Sequence, residues 1–268
     1  MSTLTLYERI VDNEISPVQC SSETEFYDLW HNRGLAQLVP ADQALEGGAL
    51  ASALSWVFTA GYQATLQNAF SDSPLAGWAA FEATEDKHDP QLHPGTTLVE
   101  SNGLYRLNGY KSWVAHSKVV DTLIVTVNDP AGDKYKAGGV VLARDIDGVI
   151  LSHRNEPSFL NALSQGFAHF DNTPVTSEQI IEFEPIRQFG RTEAKFVMLA
   201  GVAFMLSHTR PDDQLSQRLV CVGSALESLL NEEHTSRKAY AAVDLEFQHC
   251  VDLFERQLDE SQVANYSK

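Results

Sequence analysis

Apolar residues change their spacing twice along the chain, dividing it into a helical start, a β-rich centre and a helical end. In the first section, Phe26, Leu29 and Trp30 share one helical face. They follow Ser22-Glu23-Thr24-Glu25, a capping box in which the Ser22 hydroxyl and the Glu25 carboxylate would satisfy each other's free amides. Gly34 supplies a stop. After Gly47-Gly48 a small-residue-rich helix is predicted to about Phe70, with Leu50, Leu54, Val57 and Phe58 turned inward. From Gly77 the period shortens toward two. Strands are expected at 103–107, 110–115, 122–127, 139–143 and 167–170, with tight turns at Asn102-Gly103 and Asn108-Gly109, where both residues tolerate positive φ. Residues 128–138 read as hairpin-loop material. Helical spacing then returns. Thr192 is placed to cap a segment carrying Phe196, Leu199, Ala200 and Ala203. Leu215, Leu219, Val222, Leu226 and Leu229 form one stripe, and Tyr240, Val243, Phe247, Cys250, Val251, Phe254 and Leu258 form another. Joined near 231–234, these two stripes predict an antiparallel helical hairpin, and their plain reading is core or subunit packing.

The expected fold class is therefore α+β. N-terminal helices (residues 1–74) precede a central β-barrel or sandwich domain (75–184) and a C-terminal helical bundle (185–268). At 268 residues, 43% hydrophobic and 21% charged, the chain can bury a sizeable core without disulfide staples. Its three cysteines, Cys20, Cys221 and Cys250, lie far apart without CxxC spacing. That pattern argues for reduced thiols and against a structural zinc site. The opening MSTLTLYERIVDNEIS has neither a basic nor an apolar targeting region, and no apolar run is long enough to span a bilayer. A cytoplasmic protein is expected.

A formal charge of −17 excludes nucleic acid as a partner, because phosphate neutralisation needs clustered Lys and Arg and no basic stripe is present. The same charge disfavours anionic membrane surfaces, and it weighs against coenzyme A unless basic side chains shield the phosphates.

Four collinear stretches resemble the acyl-CoA dehydrogenase family. FYDLWHNRGLAQLVP, from Phe26 to Pro40, is similar to the helix and turn of that family's N-terminal domain. Phe81 to Asp86, reading FEATED, sits where the family carries an Ala-aliphatic-Thr-Glu-Pro strand. YRLNGYKSWVAH, from Tyr105 to His116, resembles its y.lnG.K.WiT signature, and FAHFDNTPV, from Phe167 to Val175, resembles the segment that closes its β-domain. Together they span most of residues 26–205.

What the resemblance implies is an acyl-CoA dehydrogenase-like fold with shortened flanks, FAD as cofactor and a small-molecule substrate such as an acyl-CoA. The expected assembly is a homo-oligomer, or a hetero-oligomer with a paralogue. Thr84 would hydrogen-bond the flavin and Trp113 would wall it, with Val114 and Ala115 beside it. Ala115 stands where a Thr is usual, leaving His116 or Ser117 to replace that contact. Read without the resemblance, Thr84 is an ordinary strand residue and Trp113 a core aromatic. The family reaction needs a carboxylate base, and Glu193, taken as lying in the first turn of a helix opening at Arg191, falls near the position some members use. A first-turn glutamate is also favoured by the helix dipole alone. Arg191 and Lys195 would depress its pKa. Lys111, Arg106 and Arg210 are candidate phosphate contacts or plain surface charges.

Departures from the family pattern are as informative. Asp86 replaces the proline, and the loop from Lys87 to Pro94 replaces a Gly-Ser-Asp turn. His88, Asp89 and His93 in that loop lack a fourth metal ligand, so no metal site is expected. Neither an R..fG stretch for the FAD pyrophosphate nor a late Tyr-Glu-Gly-Thr motif is present. Two readings follow. The favoured one is an FAD-dependent oxidoreductase acting on a CH–CH group of an acyl thioester or a similar small substrate. The alternative is a catalytically degenerate member serving as a binding or scaffold subunit.

Overall fold

The computed structural model describes residues 3–128, 138–155, 159–210, 213–232 and 236–258. Two compact units form. One holds residues 1–65 and 191–268, the other residues 66–190, and the chain passes between them within two helices. Most of the expected 128–138 loop lies outside the described residues.

In the first unit, α1 (Thr3–Val11), α2 (Glu23–Asn32), α3 (Pro40–Leu50) and the start of α4 (Leu54–Ala69) precede the end of α5 (Phe183–Leu206), α6 (Gln214–Asn231) and α7 (Arg237–Glu255). The α2 cap differs from the expected box by one residue. Ser22 Oγ accepts from Glu25 N, but the Glu25 carboxylate accepts from Ser21 N and Ser21 Oγ at 2.7 and 2.8 Å. Gly34 terminates the segment at φ 66°, as expected. Phe26 stacks on Trp56 at 5.1 Å, anchoring α2 to α4.

Gly47 and Gly48 lie inside α3 rather than ahead of a helix, and the break falls after Leu50. The reason is close approach. A Cβ on Gly48 would lie 2.2 Å from the Ala200 carbonyl oxygen, and one on Gly61 would lie 2.4 Å from Val197 Cα. Small residues on α3 and α4 thus let α5 come within backbone distance. Leu54, expected inward, is 44% exposed at the start of α4. The α6 stripe is buried as predicted. An antiparallel α6–α7 pair is seen in the bond from Gln257 Nε2 to Asp213 Oδ2 and in the Arg218–Glu246 ion pair. On α7 only Cys250 and Phe254 are fully buried.

The second unit is a two-sheet sandwich. One sheet has the order β1 (Ala79–Glu82), β4 (Thr122–Thr126), β5 (Gly139–Ala143), β8 (Ile180–Ile181); β1 and β4 run parallel and the rest antiparallel. The other is antiparallel, ordered β2 (Thr97–Ser101), β3 (Leu104–Ala115), β7 (Gln165–Val175), β6 (Val149–His153). Ala80, Leu123, Val125, Val140 and Leu142 from the first sheet meet Leu107, Val114, Ala168 and Phe170 from the second in one core.

Asn102-Gly103 makes the β2–β3 turn, with φ 54° and 76°, as predicted. Asn108-Gly109 makes no turn. It lies inside β3, where the pairing with β7 shifts register. Gly109 sits at φ 125°, and a Cβ there would meet the Gly95 and Thr96 backbone at 2.6–2.8 Å, so glycine is needed for close passage and not for reversal. Among the described residues no helix is long and apolar enough to cross a membrane.

Candidate functional site

At the end of β1 the chain turns away from its sheet, and Thr84 meets β3 of the other. The Thr84 carbonyl accepts from both Ser112 N (2.8 Å) and Ser112 Oγ (3.2 Å). This seam ties the two strands on which the flavin expectations rest, with Trp113 next along β3. Thr84 itself is exposed, and it helps line a cavity of about 410 Å³ together with Glu85, Lys87, Thr126, Asn128 and Phe183.

Trp113 is half-buried. Its Nε1 donates to Gln165 Oε1 (3.4 Å) and its ring lies near-parallel to Phe159, centroids 6.3 Å apart. Val114 and Ala115 are fully enclosed, Val114 within the sandwich core. Their side chains point to opposite faces of the sheet, and neither reaches solvent. His116 and Ser117 are buried as well, and Ser117 Oγ is hydrogen-bonded to His153 Nδ1 at 3.0 Å.

Beneath the seam lies a charged network that the sequence did not announce. Lys111, considered as a phosphate contact, is 1% exposed, and its Nζ donates to Glu85 Oε1 (2.9 Å) and Thr126 Oγ1 (3.0 Å). Glu85 Oε1 also accepts from Asn128 Nδ2 (2.9 Å) and Thr96 N (3.2 Å). Burial alone would push the Glu85 carboxyl up, but the Lys111 ammonium and these donors outweigh it and hold the group below the usual carboxylate range.

Glu82 is different. It sits on the inward face of β1, two residues from the core residue Ala80, and is wholly buried. Among the described residues neither of its carboxyl oxygens has a hydrogen-bond partner. Burial pushes it up to about 8 against the attraction of Lys111, so it is mainly protonated at neutral pH. The signal for Lys111 and Glu82 was parity, because each occupies an inward position of an alternating strand.

Glu193 does not begin a helix. It lies on α5, which starts at Phe183, roughly three turns earlier. The expected Thr192 cap is thus a buried mid-helix residue, and the first-turn dipole argument falls away. Pro185, tolerated in a first turn because it has no amide hydrogen to satisfy there, was the overlooked start signal. The charge argument reverses too. Lys195 turns its Nζ to the Leu229 carbonyl (3.3 Å), and burial raises the half-buried Glu193 carboxyl above its ordinary value.

The loop that replaces the Gly-Ser-Asp turn is internally bonded. Asp86 Oδ1 accepts from His88 N (2.8 Å) and Asp89 N (3.4 Å), while Oδ2 meets His93 Nδ1 at 2.9 Å. Of the other two phosphate candidates, Arg106 lies half-buried on β3 opposite Pro174, and Arg210 borders a separate cavity of about 390 Å³ with His208, Asp213 and Phe254. All three cysteines are free thiols.

As for an isoalloxazine, the seam meets two of its needs. It presents an exposed hydroxyl at Thr84, and one residue beyond the Ser112 bonds an indole whose edge is already oriented by Gln165.

No protein-family model matches the chain, and no curated protein matches it in sequence. Solved structures do match in fold. A prolyl acyl carrier protein oxidase, AnaB, aligns over 93% of this chain and 85% of its own, with a TM-score of 0.69 and 13% identity. An FAD-dependent dehydrogenase aligns over 92% and 83% (TM-score 0.65, 15% identity). A glutaryl-coenzyme A dehydrogenase in complex with glutaryl-CoA aligns over 98% and 86% (TM-score 0.59, 14% identity). The chain has an acyl-CoA dehydrogenase-like fold.

Proposed function

We propose that this protein is an FAD-dependent oxidoreductase that removes hydrogen from a CH–CH group, or a comparable saturated bond, of an acyl thioester or similar small molecule. The observation that carries the reading is the Thr84–Ser112–Trp113 seam in a fold whose solved neighbours include FAD-dependent dehydrogenases. Thr84 and Trp113 would hold the ring, with the main chain of Val114 and Ala115 beside it. The flavin, when bound, supplies the two-electron acceptor. Glu193 is our proposed base. Its burial supports the role, because a carboxyl raised toward neutrality is a better proton acceptor at physiological pH than an ordinary one. We place the protein in the cytoplasm as an oligomer, of its own copies or with a paralogue, and assign residues 75–184 as the cofactor-holding segment between helical domains 1–74 and 185–268.

The test is spectroscopic. Protein saturated with FAD and freed of excess should keep a flavin spectrum, and that spectrum should bleach anaerobically under a panel of acyl-CoA thioesters. A colourless protein that takes up no FAD overturns the reading in favour of a binding or scaffold subunit. Trp113→Ala should lower flavin retention at least tenfold. Glu193→Gln should retain flavin but slow bleaching by a hundredfold or more; undiminished bleaching would remove Glu193 from the role.

A further inference from the structure

We propose that the outer face of the second sheet carries a binding site for a small uncharged molecule with a flat ring and one hydrogen-bond donor, received by His93. This site is assigned independently of the flavin reading. It begins with the sheet register. Tyr110 and His169 are direct cross-strand partners on β3 and β7, and their rings stack at 4.1 Å with only 4° between planes. Phe167, two residues from His169, stands on the same outward face. Side chains two apart on a strand are about 6.6–6.8 Å apart. Phe167 therefore stands about that far along β7 from the edge of the His169 ring, whose face is turned across the sheet onto Tyr110, and the two residues wall one side of the same outer face.

The space exists. A cavity of about 360 Å³ opens here, bordered by Tyr110, Ser112, Ile150, Phe167 and His169, with Asp86 and His93 at its rim. Phe167 and Ile150 remain 38% and 55% exposed, so the apolar walls stand open to a ligand. Arg154 covers a face of Phe167 at 4.4 Å and donates to the Ser112 carbonyl, stiffening that wall.

Polarity comes from the loop. Asp86, as a carboxylate, can only accept, so His93 Nδ1 must carry the proton in their 2.9 Å contact. In the neutral ring that leaves Nε2 with a lone pair, fixed in direction by Asp86 and by the edge-on packing of His93 against Tyr110 at 5.1 Å. The lining also explains why the ligand is uncharged. The Asp86 charge is spent on His93 and two backbone amides, the Lys111 ammonium is turned to Glu85 and Thr126, and the Arg154 guanidinium is committed to the Phe167 face and the Ser112 carbonyl. An aromatic alcohol or a ring N–H compound matches the pattern: an apolar body against Phe167 and His169, and a donor to His93.

Phenol and anisole make the matched probes, equal in ring and differing in the donor. In an amide-resolved NMR titration of the full chain, phenol should shift the Tyr110, Ser112, Phe167 and His169 signals and bind roughly fivefold tighter than anisole, a ratio typical of one neutral hydrogen bond. His93→Phe, which keeps the packing on Tyr110, should erase that ratio, while Phe167→Ala should weaken both probes alike. Equal binding of the two by the unaltered protein, a phenol preference that survives His93→Phe, or shifts confined to other regions would each overturn the assignment. The probe comparison needs no variant, so a folding defect cannot shelter it.

Discussion

Replacing Glu82 by Gln should stabilise the protein by an amount that grows with pH. An isolated carboxyl buried without a partner must stay protonated in the folded state, and this one is pushed from 4.5 up to about 8. Below about pH 4.5 the group is neutral in both states, and its titration costs the fold nothing. Between about 4.5 and 8 the unfolded chain releases the proton while the folded chain retains it. The folded state then binds more protons, so stability falls as pH rises. At roughly 1.4 kcal/mol per pH unit the loss reaches about 3 kcal/mol at pH 7 and levels off near 5 kcal/mol above pH 8. Gln has the same shape and no such titration. Its amide brings a buried N–H pair that costs about 1–3 kcal/mol if unmatched, but that penalty does not depend on pH. The measurement is urea unfolding of both proteins, followed by tryptophan fluorescence, at several values from pH 4.5 to 9. The difference in unfolding free energy, Glu82→Gln variant minus the unaltered chain, should rise by several kcal/mol across that range. Other titrations are common to both proteins and cancel. A gap that stays constant with pH would show that Glu82 is not held as a buried neutral acid, and the account of this corner of the sandwich would be wrong.

Lys111→Met should destabilise by about 2–3 kcal/mol. It strands the partly buried Glu85 carboxylate, which keeps Asn128 and Thr96 but loses its cation; an unchanged urea midpoint would deny the ion pair a structural part. In α3, Gly48→Val should cost about 3 kcal/mol, because the new side chain starts 2.2 Å from the Ala200 carbonyl oxygen, and thermal unfolding will detect it. Gly190→Ala on α5 meets nothing within 4 Å and should instead raise stability by up to about 1 kcal/mol from helix propensity alone. A loss there would mean that α5 does not run unbroken through Gly190.

The two Asn-Gly dipeptides show where reading stopped and why. Both permit positive φ, so both announced a turn, yet only Asn102-Gly103 lies where the chain reverses. At 108–109 the glycine serves the passage of another segment, Gly95–Thr96, fourteen residues earlier in the chain, and nothing within a local window carries that information. Gly47-Gly48 misled in the same way, the partner of Gly48 being Ala200. Edge strands β2 and β6 escaped notice because burial, which writes alternation into a sequence, barely touches them: Val99 and Ile150 are half exposed. That Thr84 lies beside Ser112, the residue before Trp113, was legible only through resemblance, since the Ser112 amide donates to the Thr84 carbonyl and such main-chain groups belong to every residue type. Glu82 and Lys111 were legible in principle. A charged residue at an inward strand position is either a misassigned strand or a group whose charge is paired or suppressed. Here the sandwich does both within a few residues, pairing Lys111 with Glu85 and suppressing Glu82, which is why the pH dependence of stability is the sharpest probe of this corner.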